Sequence, residues 1–156
     1  MTDPVAKAEM QIRRPPAEVF EAFADPAITS HFWFTHGSGR LEPGARATWE
    51  WAMYGFSVEV EVKAAEPGRI EIVWSAYGAP STIEWRFTPL PDGTTFVSVA
   101  NAGFAGTDAE KMKAALDSTE GFAFVLAGAK AWLEHGVELN LVRDRFPKGL
   151  DGGDAR

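Results

Sequence analysis

The sequence predicts an α+β fold, a curved antiparallel sheet of about six or seven strands wrapped around a long C-terminal helix, with two short helices after the first strand. Three observations carry this. Apolar and polar residues alternate with period two through the middle of the chain, the mark of strands with one buried and one wet face. Pro and Gly punctuate those runs where hairpins must turn. Apolar residues spaced three and four apart, the mark of a helix face, fall near the two ends.

Taken in order, "VAKAEMQIR" is the first strand, with Ala8, Met10 and Ile12 on one face. "PPAEVFEAFADP" follows as a helix: Pro16 suits its first turn, Val19, Phe20 and Phe23 form a stripe, and Pro26 ends it. "PAITSHFW" is a second short helix. Four alternating strands come next, with inward sets Ala47, Trp49 and Trp51; Val58, Val60 and Val62; Ile70, Ile72 and Trp74; and Ile83, Trp85 and Phe87. Consecutive strands with a wet face form an antiparallel sheet. "EPGR" and "PLPDGTT" are turns, and "TTFVSVAN" is a further strand whose inward face is ambiguous. For the long helix, Asp117 and Glu120 resemble a capping box. From there Phe122, Val125, Leu126, Ala129, Leu133 and Val137 trace one face to about Leu141 or beyond.

The 156 residues suit one domain, placed at 1–147, with 148–156 as a flexible tail. A net charge of -7 argues against nucleic acid and against an anionic membrane surface. The absence of cysteine removes disulfides, thiol catalysis and thiolate zinc sites, and fits a cytoplasmic location. No apolar run approaches the ~20 residues needed to span a bilayer, and the opening residues lack the apolar stretch of a signal peptide. Neither a metal nor a cofactor is expected: no His-Glu-x-x-His motif occurs, and the three histidines share no ligand spacing.

A sheet bent around one helix leaves a concave apolar hollow, the usual place for a small ligand. The expected lining is Trp33, Trp49, Trp51, Val58, Trp74, Trp85, Phe87, Phe122 and Leu126, with His31 and Tyr54 as polar handles. Each has a plainer reading. The indoles are core as readily as stacking walls, although each brings an N–H that needs a partner. His31 is either a titrating group at the mouth or a half-exposed helix end. Gly128 interrupts the long helix, either for close packing or to leave room for a ligand. "GSG" (Gly37 to Gly39) lacks the strand, helix and lysine of a phosphate loop. Glu50, Glu59, Glu61, Glu71 and Glu84 fall on the wet sheet face.

"IRRPPAEVFEAFADP", "HFWFTHGSGRLEPGARATWEW" and "GFAFVLAGAKAWLEHG" together resemble the START-like (SRPBCC, helix-grip) superfamily over roughly Ala8 to Pro147. Within it they resemble the branch related to the activator of heat-shock protein 90 ATPase, whose bacterial members are often labelled polyketide-cyclase-like. The resemblance implies the helix-grip fold and three functional expectations. First is binding of a small hydrophobic or aromatic molecule between sheet and helix, without catalysis. Second is a co-chaperone-like domain that stimulates a heat-shock ATPase and docks through the acidic sheet face. Third is a cyclase or aromatase type of enzyme with His31 or Tyr54 in proton transfer.

Overall fold

The computed structural model describes residues 2–150 and bears out the α+β architecture. Its order is β1 (Ala6–Ile12), α1 (Pro16–Ala24), α2 (Pro26–Thr29), β2 (His36–Gly37), β3 (Arg46–Trp51), a 3-10 turn (Ala52–Tyr54), β4 (Phe56–Glu66), β5 (Arg69–Trp74), β6 (Ser81–Pro89), β7 (Thr95–Ala102), α3 (Asp108–His135) and α4 (Leu141–Asp144). The seven strands form one antiparallel sheet in the order β1-β7-β6-β5-β4-β3-β2. The inward sets on β3 to β6 are buried as their alternation predicts. In the β6–β7 turn Gly93 sits at φ 85°, a left-handed conformation that favours glycine, and Asp92 accepts the Thr94 N–H at 3.0 Å. The part of the expected tail from 151 to 156 lies outside the described residues.

β7 resolves the ambiguous strand. Its inward face is Thr95, Val97, Val99 and Asn101, all at 0% exposure. The two polar members are tolerated because they are hydrogen-bonded. Thr95 Oγ1 donates to the Arg14 carbonyl at 2.8 Å, and Asn101 joins a network described below.

The long helix begins nine residues before the expected start at Asp117, at Asp108. The capping box is Thr107 with Glu110: Thr107 Oγ1 accepts the Glu110 N–H at 3.1 Å, and Glu110 accepts the Thr107 N–H at 3.0 Å. Asp117 sits inside the helix, paired with Lys113 at 3.0 Å. The helix also stops short of Leu141. It ends at His135, where Gly136 turns left-handed at φ 65°. Val137, expected on the buried stripe, is 46% exposed.

Two glycines are explained by close approach. A Cβ on Gly37 would meet Pro26 Cβ at 2.7 Å, so the "GSG" segment is a place where β2 packs against α2. A Cβ on Gly128 would meet Phe32 Cβ at 3.1 Å, which decides for close packing there.

The end of α3 is tied to the start of the fold through Glu134, whose side chain is 8% exposed. Glu134 Oε2 accepts from the Arg13 N–H at 2.7 Å and from Lys130 Nζ at 2.8 Å. Lys130 also donates to the Gln11 carbonyl at 2.9 Å, and Arg14 Nε to the Leu133 carbonyl at 2.9 Å. Burial alone would raise the Glu134 carboxyl, but the bonds from Lys130 and Arg13 outweigh it and hold the group below its ordinary 4.5. A depressed carboxylate stabilises the fold fully above its ordinary value and loses that contribution as pH falls through its folded value. Glu134→Gln is therefore expected to destabilise by about 2 kcal/mol at pH 7. In urea melts the deficit should shrink toward zero as the pH is lowered below 4.5.

On the outer sheet face the glutamates are interleaved with cations. Arg46 pairs with Glu59 at 2.6 Å, and Lys63 with Glu61 at 2.6 Å. Glu71 and Glu84 stand opposite each other on β5 and β6, a repulsive placement that Arg69 bridges, donating to both. Burial opposes ionisation of Glu84, yet Arg69 and Arg86 hold its carboxyl below 4.5. Glu50 on β3 is exposed on the same face.

Candidate ligand cavity

α3 packs mainly on β1 and β7. Toward β3, β4 and β5 its first half stands away from the sheet. The inward residues there are small: Ala115 and Ser118 are 5% and 2% exposed. The gap is a cavity of about 510 Å³, within the ~300–1,000 Å³ usual for ligand sites. One wall is Trp51, Phe56 and Trp74 from the strand ends. The opposite wall is the α3 face around Ser118 and Phe122. Tyr77 and Phe104 close one end, and the segment after α3 closes the other through Val142, Phe146 and Leu150.

Of the residues expected to line this hollow, five do: Trp33, Trp51, Tyr54, Trp74 and Phe122. Trp49, Val58, Trp85, Phe87 and Leu126 are buried in the core instead. His31 lies on a second hollow of about 200 Å³, bounded also by Trp33, Gly128 and Glu138. Its ring stacks on Trp132 at 3.8 Å and 10°, and Nδ1 lies 2.7 Å from Glu138 Oε1.

The aromatic wall has a hub. The Trp33 ring centroid lies 4.9 Å from Trp49, 6.0 Å from Trp74, 6.0 Å from Trp85 and 5.5 Å from Phe122. Among these rings two indole nitrogens, Trp74 Nε1 and Trp85 Nε1, are sealed from water with no hydrogen-bond acceptor among the described residues. Such groups are rare in folded proteins and call for an explanation. Trp85 is walled in by core, whereas Trp74 lines the cavity.

Beneath the α3 wall is a polar network that sequence reading missed. Ser118 Oγ donates to Asn101 Oδ1 at 2.9 Å, and Asn101 Nδ2 donates to Ser81 Oγ at 3.0 Å and to the Thr82 carbonyl at 2.9 Å. Ser118 faces the cavity with its proton already committed, so its oxygen is left to accept. At the rim, the Glu110 carboxyl is held below 4.5 by the Thr107 N–H and hydroxyl. No three His, Asp or Glu residues converge as a metal site among the described residues. No helix there is long and apolar enough to cross a membrane.

The family model for Activator of Hsp90 ATPase homolog 1-like protein matches residues 13–133. No curated protein matches the chain. Among solved structures, protein SSP2350 from Staphylococcus saprophyticus is 29% identical, with a TM-score of 0.74 over 86% of this chain and 95% of that one. DynU16, a putative protein in the dynemicin biosynthetic locus, is 21% identical, with a TM-score of 0.76 over 88% of this chain and 49% of that one. The Aha1 dimer from Colwellia psychrerythraea is 16% identical, with a TM-score of 0.73 over 87% of this chain and 98% of that one.

Proposed function

The chain belongs to the Activator of Hsp90 ATPase homolog 1-like protein family, and from that premise we propose that it binds a small, planar hydrophobic molecule in the cavity between sheet and α3. One observation carries the reading: a cavity of about 510 Å³ walled by Trp33, Trp51, Trp74 and Phe122, where Trp74 holds an indole N–H with no acceptor among the described residues. Apolar walls with one or two polar groups are how such sites gain affinity and orientation. A ligand carbonyl brought to Trp74 Nε1 would satisfy the orphan donor, after a small shift of the rings that cover it.

The other two expectations find less support. The Tyr54 hydroxyl and His31 Nδ1 are engaged with the segment after α3. The sheet face proposed for chaperone docking carries Arg46, Lys63, Arg69 and Arg86 among its glutamates, so it is not a uniformly acidic surface.

Native mass spectrometry of the purified protein, with denaturing extraction of anything bound, tests the reading directly. Beside it, tryptophan fluorescence titration compares 2-acetylnaphthalene with 2-ethylnaphthalene, which differ in one carbonyl. The ketone is expected to bind about tenfold tighter to the native protein. In Trp74→Phe that preference should vanish while the hydrocarbon binds as before. No bound molecule and no response to either probe would overturn the reading and turn attention to stimulation of a heat-shock ATPase.

A further inference from the structure

One wall of the cavity is a different kind of structure from the rest. Residues 137–150 lie beyond the part of the chain that the family model matches, which ends at 133. Yet they supply Val142, Arg145, Phe146 and Leu150 to the lining. The backbone hydrogen bonds within this strap are local: Asp144 N–H to the Asn140 carbonyl, Arg145 N–H to that of Leu141, and Gly149 N–H to that of Phe146. Past Val137, whose N–H bonds the last turn of α3, no backbone–backbone bond joins the strap to another element among the described residues.

Among the described residues, side chains from three places hold it down. Tyr54 Oη, on the turn after β3, donates to the Val142 carbonyl and, at 3.0 Å, to the Arg143 carbonyl. Its ring meets Phe146 edge-on at 6.0 Å. Glu120 on α3 accepts from Arg145 Nε. His31 Nδ1 meets Glu138 at 2.7 Å. The two ion-pair contacts are half exposed, with side-chain exposures of 33% and 46% for Arg145 and Glu120, and 36% and 50% for His31 and Glu138. Exposed pairs contribute little, so among these contacts the Tyr54 hydroxyl and its ring contact with Phe146, beside the packing of Val142 on the core, are the stronger fastenings. The near end carries two left-handed residues four apart, Gly136 at φ 65° and Asn140 at φ 56°. These are positions where a segment swings by changing few dihedrals.

We propose that residues 137–150 are a lid that lifts from the cavity about Gly136 and Asn140, with Tyr54 as its latch, and that ligand enters and leaves beneath it. The inference rests on the cavity being the binding site. A segment without ladder bonds opens before the sheet does. A latch acts on the opening step, so weakening it speeds entry and exit together.

The test uses the full chain and Tyr54→Phe, which keeps the ring against Phe146 and removes only the hydroxyl. In amide exchange read by mass spectrometry, peptides covering 141–149 are expected to exchange ahead of β4 to β7. In Tyr54→Phe they should exchange about tenfold faster, with the sheet unchanged. In stopped-flow binding of 2-acetylnaphthalene, the association rate and the dissociation rate should both rise. Two outcomes overturn the lid: strap amides as protected as those of the sheet, or a variant in which only Kd and dissociation change, the behaviour of a fixed wall. Absence of binding to the native protein, with the strap exchanging as expected, would sink the ligand reading and not the strap's motion.

Discussion

Replacing Trp33 with Ala is expected to lower the free energy of unfolding by about 3–5 kcal/mol and to change which molecules the protein holds. The indole is 8% exposed and in contact with six other aromatic rings. No neighbour fills the space of so large a group, so the cost includes a residual void as well as lost transfer energy. The functional half of the expectation follows from position. Trp33 borders both the large cavity and the smaller one beside His31, as Val142 does from the segment after α3. Removing the indole is expected to open one toward the other. Trp33→Ala should take a longer probe, 6-propionyl-2-dimethylaminonaphthalene, in preference to 2-acetylnaphthalene, reversing any native preference for the shorter one. Trp49→Ala is the control. Trp49 is 1% exposed and lines neither hollow. It should lose a similar amount of stability in urea melts and leave the probe preference as it was. Equal shifts of preference in the two variants would show that Trp33 is ordinary core.

The contrast between these two tryptophans marks where the sequence stops being informative. Trp49 and Trp33 both read as inner aromatics, and both are buried. Which of the inner residues faces a hollow is set by where α3 docks, toward β1 and β7, and no periodicity encodes that choice. The strands were legible because the inward positions of β4, β5 and β6 are uniformly apolar across the core. β7 was not, because Thr95 and Asn101 break its pattern and are made tolerable only by partners far away in sequence. The first half of α3 hid for a related reason. Its inward residues are Ala115 and Ser118, while Met112 and Leu116 face out at 45% and 64% exposure. The apolar stripe is thus blurred where the cavity lies. The Thr107–Glu110 cap is the signal of the true start, and Asp117 and Glu120 repeat its spacing one helical stretch later. At the far end, Val137, Leu139 and Leu141 prolong the apolar spacing, but Gly136 has already turned the chain away. That turn creates the strap, whose role is visible only in three dimensions.

Asn101→Leu is expected to cost about 2–4 kcal/mol, because a side chain of nearly the same size replaces three hydrogen bonds and leaves their partners without them. Asn101 is fully buried, so water cannot take its place. Ser118 Oγ loses the acceptor for its proton, and Ser81 Oγ and the Thr82 carbonyl lose a donor. Ser118→Ala alone removes one bond and should cost less, about 1 kcal/mol. The informative variant carries both changes. Once Asn101 is Leu, the Ser118 hydroxyl is a liability, and removing it should recover part of the loss, so the double variant should be more stable than the two single losses added together. Strict additivity would mean that the serine and asparagine do not depend on each other. The outcome bears on the cavity, because this network joins β6 and β7 to α3 where the helix otherwise stands away from β3, β4 and β5. Four apolar residues in place of Ser81, Thr82, Asn101 and Ser118 would let the helix settle onto the sheet at any height. A directional bond between Ser118 and Asn101 fixes one height, and that height leaves the hollow open. Asn101→Leu should therefore weaken 2-acetylnaphthalene binding although residue 101 is not in the cavity wall, and the double variant Asn101→Leu/Ser118→Ala should recover stability without recovering the binding.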